Sequence, residues 1–95
     1  MHITYPQAIH AVCDTLTADN HLVISANTDE QAQTPVFAQV DGNEFAFYFV
    51  RTLENPVTPA QREQWRSLAA KHQVSAYLAI VRATEPAPEI CFSLL

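Results

Sequence analysis

Three side chains that could do chemistry lie close together near the N-terminus. His10, Cys13 and Asp14 stand at positions i, i+3 and i+4, which would place them on one side of a helix. A thiol beside an imidazole can act as a nucleophile or hold a metal ion, provided that its surroundings favour the thiolate. A free cysteine also packs as a small apolar side chain. We expect this packing role for Cys13, with His10 at the surface.

Two arginines offer a different chemistry, the binding of anions. Arg51 and Arg82 follow the apolar runs EFAFYFV and VSAYLAIV, which have the composition of strands. If those strands are parallel, their carboxyl ends meet at one edge of a sheet, where open α/β sheets have their ligand crevices. The sequence thus predicts an anion or peptide site built from these two arginines with Tyr48 and Gln61. The alternative is that both arginines are solvated charges at strand ends.

The composition limits the class of partner. The 95 residues suffice for one domain over 1–95. Lys and Arg number 5 and Asp and Glu number 10, so the net charge is -5. Phosphate neutralisation supplies most of the affinity of nucleic-acid-binding proteins, and this charge therefore disfavours a nucleic-acid partner. Hydrophobic residues make up 48% and charged residues only 16%, which leaves apolar surface for a protein partner.

The chain shows neither a membrane span nor a secretion signal. No apolar run reaches the roughly 20 residues of a transmembrane helix. The N-terminal MHITYPQ lacks the basic and apolar regions of a signal peptide. Cys13 and Cys91 have no CxxC spacing. These features predict a reduced protein in the cytoplasm, without a membrane partner.

Periodicity and cap residues predict the elements that would position these side chains. The expected elements are, in order, a helix over 6–17, strands over 21–26, 36–40 and 44–52, a helix that begins at 59, and strands over 74–81 and 89–95. Each helix has a threonine N-cap, a proline in the first turn and a glutamine three residues after the cap. Asp41-Gly42 predicts a tight turn between the second and third strands.

The third strand is apolar on both faces, which is typical of a central strand. One face is formed by Phe45, Phe47 and Phe49, and the other by Ala46, Tyr48 and Val50. In the second helix the pattern assigns Trp65, Leu68, Ala69 and His72 to the inward stripe, and Arg62, Glu63, Arg66 and Lys71 to the solvent face. The crossover from the third strand through this helix to the fourth strand predicts parallel pairing.

The C-terminal segment EICFSLL is apolar. If it forms an edge strand, its unpaired backbone groups are a template for another strand. Pairing with the same strand of a second copy would give an isologous homodimer, whereas a tail that packs back on its own sheet would not. We expect the homodimer, formed through this C-terminal strand.

Three runs of the chain resemble the core of the restriction-endonuclease-like superfamily, also called PD-(D/E)xK nucleases, to which Holliday-junction resolvases belong: VFAQVDGNEFAFYFVRT, TPAQREQWRSLAAKHQ and VSAYLAIVRA. The resemblance covers about residues 6–82 and is most specific in the segment from the second helix to the fourth strand. It implies an α/β (α+β) fold, a single small domain with a mixed central sheet of 4-5 strands in the order αβββαββ.

Enzymes of that superfamily hold metal ions with an acid on the second strand and with an acid two residues before a lysine on the third, often helped by a glutamate on the first helix. Carboxylates supply the oxygen ligands that Mg²⁺ prefers. In this chain Pro35-Val36 and Phe49-Val50-Arg51 occupy the two strand motifs, and the acid of the first helix is Asp14. We therefore expect a catalytically inactive nuclease-fold domain, without catalytic residues, metal or cofactor, that acts as a protein-interaction or assembly module.

Two alternatives remain open. One is a divergent metal-dependent nuclease or nucleic-acid-binding protein whose ligands are Asp29, or Asp41 with Glu44. The other is an acidic chaperone or immunity-type protein that binds one protein partner, because small secretion chaperones resemble this chain in element order and acidic charge.

Overall fold

The computed structural model describes residues 2–32, 34–53 and 57–95. Two helices and five strands follow the predicted order, and a short 3-10 turn over Glu30–Ala32 lies within the predicted loop between the first two strands. The bounds are α1 Tyr5–Ala18, β1 Leu22–Ser25, β2 Val36–Asp41, β3 Glu44–Thr52, α2 Pro59–Lys71, β4 Ser75–Arg82 and β5 Glu89–Leu94.

Both helices begin with the capping box that the sequence predicted. The Thr4 hydroxyl accepts a hydrogen bond from the Gln7 backbone N–H at 3.3 Å, and the Gln7 side-chain oxygen accepts one from the Thr4 N–H at 2.9 Å. Thr58 and Gln61 form the same pair at 3.2 and 3.1 Å. These bonds satisfy backbone donors that a helix end would otherwise leave unpaired, so each helix begins at a defined residue.

Two residues after the end of each helix lies a non-glycine residue with left-handed backbone. Asn20 has a φ of 65° and Gln73 a φ of 57°. The residue after each one donates its N–H to a carbonyl in the last turn of the helix, as in the bond from Val74 to Ala69 at 3.0 Å. Asparagine tolerates this conformation, but glutamine does so at a cost that glycine would avoid. The tight reversal after α2 therefore carries local backbone strain.

The strands form one five-stranded sheet in the order β1-β2-β3-β4-β5. β3 is central and pairs antiparallel with β2 and parallel with β4, which confirms the predicted crossover through α2. β1 and β5 are antiparallel edge strands. The hairpin between β2 and β3 turns at Gly42 and Asn43, one residue later than predicted, because Asp41 pairs with Glu44 instead of entering the turn.

The sheet carries one helix on each face, so the domain has two cores. On one face α1 packs its buried residues against the sheet residues Val36, Ala38, Ala46, Tyr48, Val50, Ala79 and Val81. On the other face α2 packs Trp65 and Ala69 against Phe49, Ala76 and Leu78. The alternation predicted for β3 is confirmed, since its odd residues face α2 and its even residues face α1. Within the described ranges, neither helix has the length and apolar character that crossing a membrane would require.

A glycine substitution at the positive-φ residue after α2 tests whether the backbone there is strained. Gln73→Gly is expected to raise the free energy of unfolding by about 0.5–1 kcal/mol, because glycine adopts a positive φ without a Cβ clash. Asn20→Gly serves as the matched control and should give a smaller gain, because asparagine already tolerates this conformation. Urea denaturation of both variants measures the difference. A Gln73→Gly protein that is less stable than the parent would contradict the assignment of strain.

Candidate functional site

A small pocket opens at the carboxyl end of β3, where β3 leads into the segment before α2. Its volume is about 200 Å³ and it is lined by Arg51, Thr52, Leu53, Val57, Arg62, Leu78 and Ile80. The last two residues come from β4, and Arg62 comes from the first turns of α2. The pocket therefore lies where the sequence placed a ligand crevice, at the carboxyl ends of the parallel strands.

Arg51 is the buried charge of this pocket. Its side chain leaves the α2 face of β3, and the residue is only 8% exposed. The central carbon of its guanidinium lies 5.1 Å from the centroid of the Trp65 ring, a cation–π distance. The Nε atom of Arg51 is buried and has no hydrogen-bond partner in the described structure. Among the described residues no carboxylate forms an ion pair with Arg51, and a buried arginine without such a partner is unusual, because the cost of desolvating its charge is not offset.

Trp65 fixes the position of Arg51. The Trp65 ring stacks on Phe49 with centroids 4.6 Å apart and planes 12° apart, and it is 4% exposed. Phe49 and Arg51 are two residues apart on β3 and so share a face. The indole therefore contacts both side chains, and the guanidinium is held against a rigid aromatic surface.

Arg62 is the second cation of the pocket, and its predicted orientation was wrong. The pattern assigned it to the solvent face of α2, but the residue is half-buried and lines the pocket with Arg51. Arg62, Trp65 and Ala69 stand at i, i+3 and i+7, so they share the sheet-facing stripe. That spacing is the sequence signal that could have placed Arg62 on the sheet-facing side of α2. No ion pair of Arg62 is found among residues 2–32, 34–53 and 57–95.

The structure does not bring the four predicted site residues together. Arg82 is exposed at the end of β4 and forms a 2.8 Å ion pair with Glu89 of β5. Tyr48 lies on the α1 face, opposite to Arg51, and stacks on Tyr77 with centroids 5.2 Å apart. Gln61 uses its side-chain oxygen in the helix cap. Arg51 is thus the one predicted residue that lines the pocket.

Acidic side chains also approach this end of the sheet. Burial raises the pKa of the Tyr5 hydroxyl, the charge of Arg51 lowers it, and the charges of Glu30 and Asp29 raise it. The charges of Arg51, Glu30 and Asp29 therefore all reach the Tyr5 hydroxyl on α1.

The positions of the nuclease motif hold packed apolar side chains. Val36 is fully buried and Phe49 is 2% exposed beneath Trp65. Asp41 and Glu44 face each other at the hairpin, seven residues along β3 from Arg51, or about 23 Å at the rise of an extended strand. In the described part of the chain, no three His, Cys, Asp or Glu residues converge into a set that could hold a metal ion.

The helical cluster near the N-terminus has the arrangement expected for packing. Cys13 is half-buried, and His10 and Asp14 are exposed. Burial raises the pKa of the Cys13 thiol, and the charge of Asp14 raises it further. Both influences favour the neutral thiol over the nucleophilic thiolate. Cys13 and Cys91 are both free.

Comparison with known proteins identifies the fold. A solved structure of Archaeoglobus fulgidus Hjc, a Holliday junction resolvase from an archaeal hyperthermophile, matches with a TM-score of 0.63 over 93% of this chain and 74% of the Hjc chain. The sequences are 14% identical over that match. No family model matches the chain, and a search of curated proteins gives no match. The chain has a restriction-endonuclease-like fold, which confirms the resemblance found in its sequence.

Replacement of the buried arginine tests whether Arg51 serves the fold. Arg51→Met is expected to leave the free energy of unfolding unchanged or to raise it by about 1 kcal/mol, because methionine keeps the contact with Trp65 and removes an unpaired buried donor. Arg66→Met on the same helix as Arg62 removes an exposed ion pair with Glu63 and should change stability by less than about 0.5 kcal/mol. Thermal and urea unfolding measure both. A loss above about 2 kcal/mol in Arg51→Met would show that the arginine holds the fold together.

Proposed function

We propose that this protein is a catalytically inactive nuclease-fold domain that acts as a protein-interaction and assembly module, and that it assembles as a homodimer through β5. The proposal has two parts, the loss of hydrolytic chemistry and the use of a sheet edge as an interface. Each part rests on different residues and can be tested separately.

The case against hydrolysis starts from the residues at the motif positions. A nuclease of this fold needs carboxylate oxygens where this chain has Val36 and Phe49. Phe49 is part of the core between β3 and α2, stacked on Trp65, so an acid at this position would be buried against the indole. The arginine that remains, Arg51, supplies positive charge but no metal ligand.

The observation that carries the proposal is the exposed edge strand β5. It pairs with β4 alone, as the last strand of the sheet, so its outer edge presents backbone donors and acceptors. Phe92 is 40% exposed and Leu94 is 69% exposed. Both lie on the α1 face, because they pair with Ala79 and Tyr77 of β4. Phe92 also contacts Tyr48 edge-on, with ring centroids 5.7 Å apart.

β5 lacks the features by which natural edge strands avoid pairing. Over Glu89–Leu94 it has no lysine, no proline and no register shift against β4, and its one charged side chain is neutralised by the ion pair of Glu89 with Arg82. The opposite edge, β1, has a register shift between Val23 and Ser25, an irregularity that makes a strand a poor template. A second copy offers the same six-residue strand, whose one charge is already paired, and antiparallel pairing about a two-fold axis satisfies both edges at once.

A matched pair of leucines on the two edge strands tests the interface. Leu94→Lys on β5 is expected to convert the dimer to a monomer, because it places a charge at the interface in both copies. Leu22→Lys on β1 changes a leucine that is 61% exposed and should leave the dimer intact. Sedimentation velocity at several concentrations measures the oligomeric state. Higher salt should strengthen the parent dimer, since it screens the repulsion between two copies that each carry a net charge of -5. A parent protein that stays monomeric near 100 μM would refute the dimer.

A cleavage assay tests the loss of hydrolysis. Incubation of the purified protein with plasmid and branched DNA in the presence of Mg²⁺ or Mn²⁺ is expected to give no cleavage, because the oxygen ligands of the motif are missing. Arg51→Ala and Glu44→Ala, purified in parallel, distinguish intrinsic activity from a contaminating nuclease. Cleavage by the parent that disappears in either variant would overturn the proposal and restore the divergent-nuclease alternative.

A further inference from the structure

We infer that the pocket formed by Arg51 and Arg62 binds a carboxylate of a protein partner, carried by an apolar residue. The inference rests on the proposed interaction function and names the chemical group that the module would recognise. The carboxylate has two possible sources in a peptide, the chain terminus and an acidic side chain, and the test below separates them.

Among the described residues, the lining of the pocket includes two arginines and no carboxylate. Arg51 is nine-tenths buried and its Nε has no hydrogen-bond partner in the described structure. Arg62, which is half-buried, lines the same pocket. Like charges brought together in a half-buried site raise the energy of the free protein. An anion between them would relieve this repulsion, and a carboxylate matches the fork of guanidinium donors.

The rest of the described wall of the pocket is mostly apolar. It includes Leu53, Val57, Leu78 and Ile80, together with the polar residue Thr52. Leu53 is 57% exposed, an apolar side chain at the mouth of the pocket. Such a wall is poorly matched to a phosphate or a free inorganic ion, which carry no apolar surface. It is well matched to a carboxylate attached to an aliphatic or aromatic group.

The small size of the pocket also favours a single amino-acid residue as its ligand. The pocket measures about 200 Å³, below the roughly 300–1,000 Å³ of sites for small organic ligands and cofactors. One amino-acid residue at the end or the side of a peptide fills a space of this order. Recognition of a terminal carboxylate or an acidic motif by arginine is an established mode of peptide binding.

The backbone at the start of α2 contributes little to this site. The N–H groups of Thr58 and Gln61 are already bonded within the capping box, the N–H of Arg62 donates to the Thr58 carbonyl, and Pro59 has none. The charged donors of the described lining are those of Arg51 and Arg62. This predicts that arginine substitutions, rather than changes in the helix cap, control affinity.

Charge decides between a peptide and a nucleic acid. With 5 cations against 10 acids in the chain, the surface around the pocket cannot neutralise a run of phosphates. A single carboxylate on an otherwise neutral peptide does not require such neutralisation.

Trp65 reports on occupancy, because it is the only tryptophan and its ring contacts Arg51. The probe is the peptide acetyl-Gly-Gly-Ser-Gly-Leu with a free C-terminus, titrated against the full chain while the Trp65 indole N–H and emission are followed. We expect saturation with a Kd on the order of 1 mM. The same peptide with a C-terminal amide should give no saturable change. A third peptide, capped at both ends with an internal Glu-Leu, tests the side-chain source.

Two arginine variants and one matched arginine control locate the binding. Arg62→Gln and Arg51→Met are each expected to weaken binding at least about tenfold, because each removes a charged donor. Arg82→Gln removes a cation that is paired with Glu89 outside the pocket and should change affinity by less than about twofold. The fold of each variant is checked by its unfolding transition before titration.

Four outcomes would overturn the inference. The first three are equal binding of the amide peptide, equal weakening by Arg82→Gln, and the absence of any carboxylate-dependent change up to about 20 mM peptide. Tighter binding of a decathymidine strand than of the peptide, with the same loss in Arg62→Gln, would assign the pocket to nucleic acid. None of these results depends on β5, so failure here and failure of the dimer test are distinguishable.

Discussion

The stack of Phe49 on Trp65 is the contact on which the rest of the α2 face depends. It joins the central strand to the crossover helix, with ring centroids 4.6 Å apart. Because β3 and β4 are parallel, the chain must cross back over the sheet between them, and α2 forms this crossover. The stack of Phe49 on Trp65 fixes the position of α2 on the sheet. Arg51 and Arg62 approach the same pocket because one lies two residues after Phe49 and the other three residues before Trp65. A smaller residue at either ring would leave a cavity and release both arginines.

The same contact explains how a nuclease fold can persist without its motif acids. An acid at the position of Phe49 would be partly desolvated and would require a metal ion or a cation beside it. Here the position is filled by a ring that contributes apolar burial, and the adjacent arginine rests against the indole. The strand therefore gains stability from the apolar residue at this position. The described residues at this edge of the sheet include two arginines, Arg51 and Arg62.

Much of this architecture could be predicted from local signals. The capping boxes at Thr4 and Thr58 defined both helix starts, because cap chemistry depends on residues three apart. Alternation in β3 predicted its two faces, because a strand buried on both sides places successive side chains on opposite faces.

The functional site was harder to predict from the sequence than the fold. Tyr48 and Arg51 are three residues apart on a strand and so lie on opposite faces. The two-residue period of a strand should therefore have excluded a site that contains both. Arg62 was assigned to solvent because charge was weighed above its spacing from Trp65, yet long arginine stems commonly lie over apolar surface. The pairing of Arg82 with Glu89 depended on the register of β5, which the sequence did not specify.

The pocket and the exposed apolar side chains of the proposed interface occupy different faces of the same sheet. Arg51 and the pocket face α2 at the carboxyl end of β3, whereas Phe92 and Leu94 face α1, with Leu94 opposite Tyr77 near the start of β4. Pairing through β5 would therefore leave both pockets of a dimer open, one in each copy. Two-fold symmetry would present two identical carboxylate sites on one continuous sheet. A partner with two acidic ends, or two partners side by side, would then gain affinity from the second site through effective concentration alone. Weak binding at one pocket would be sufficient for such a module, since the proposed assembly through β5 would supply the second.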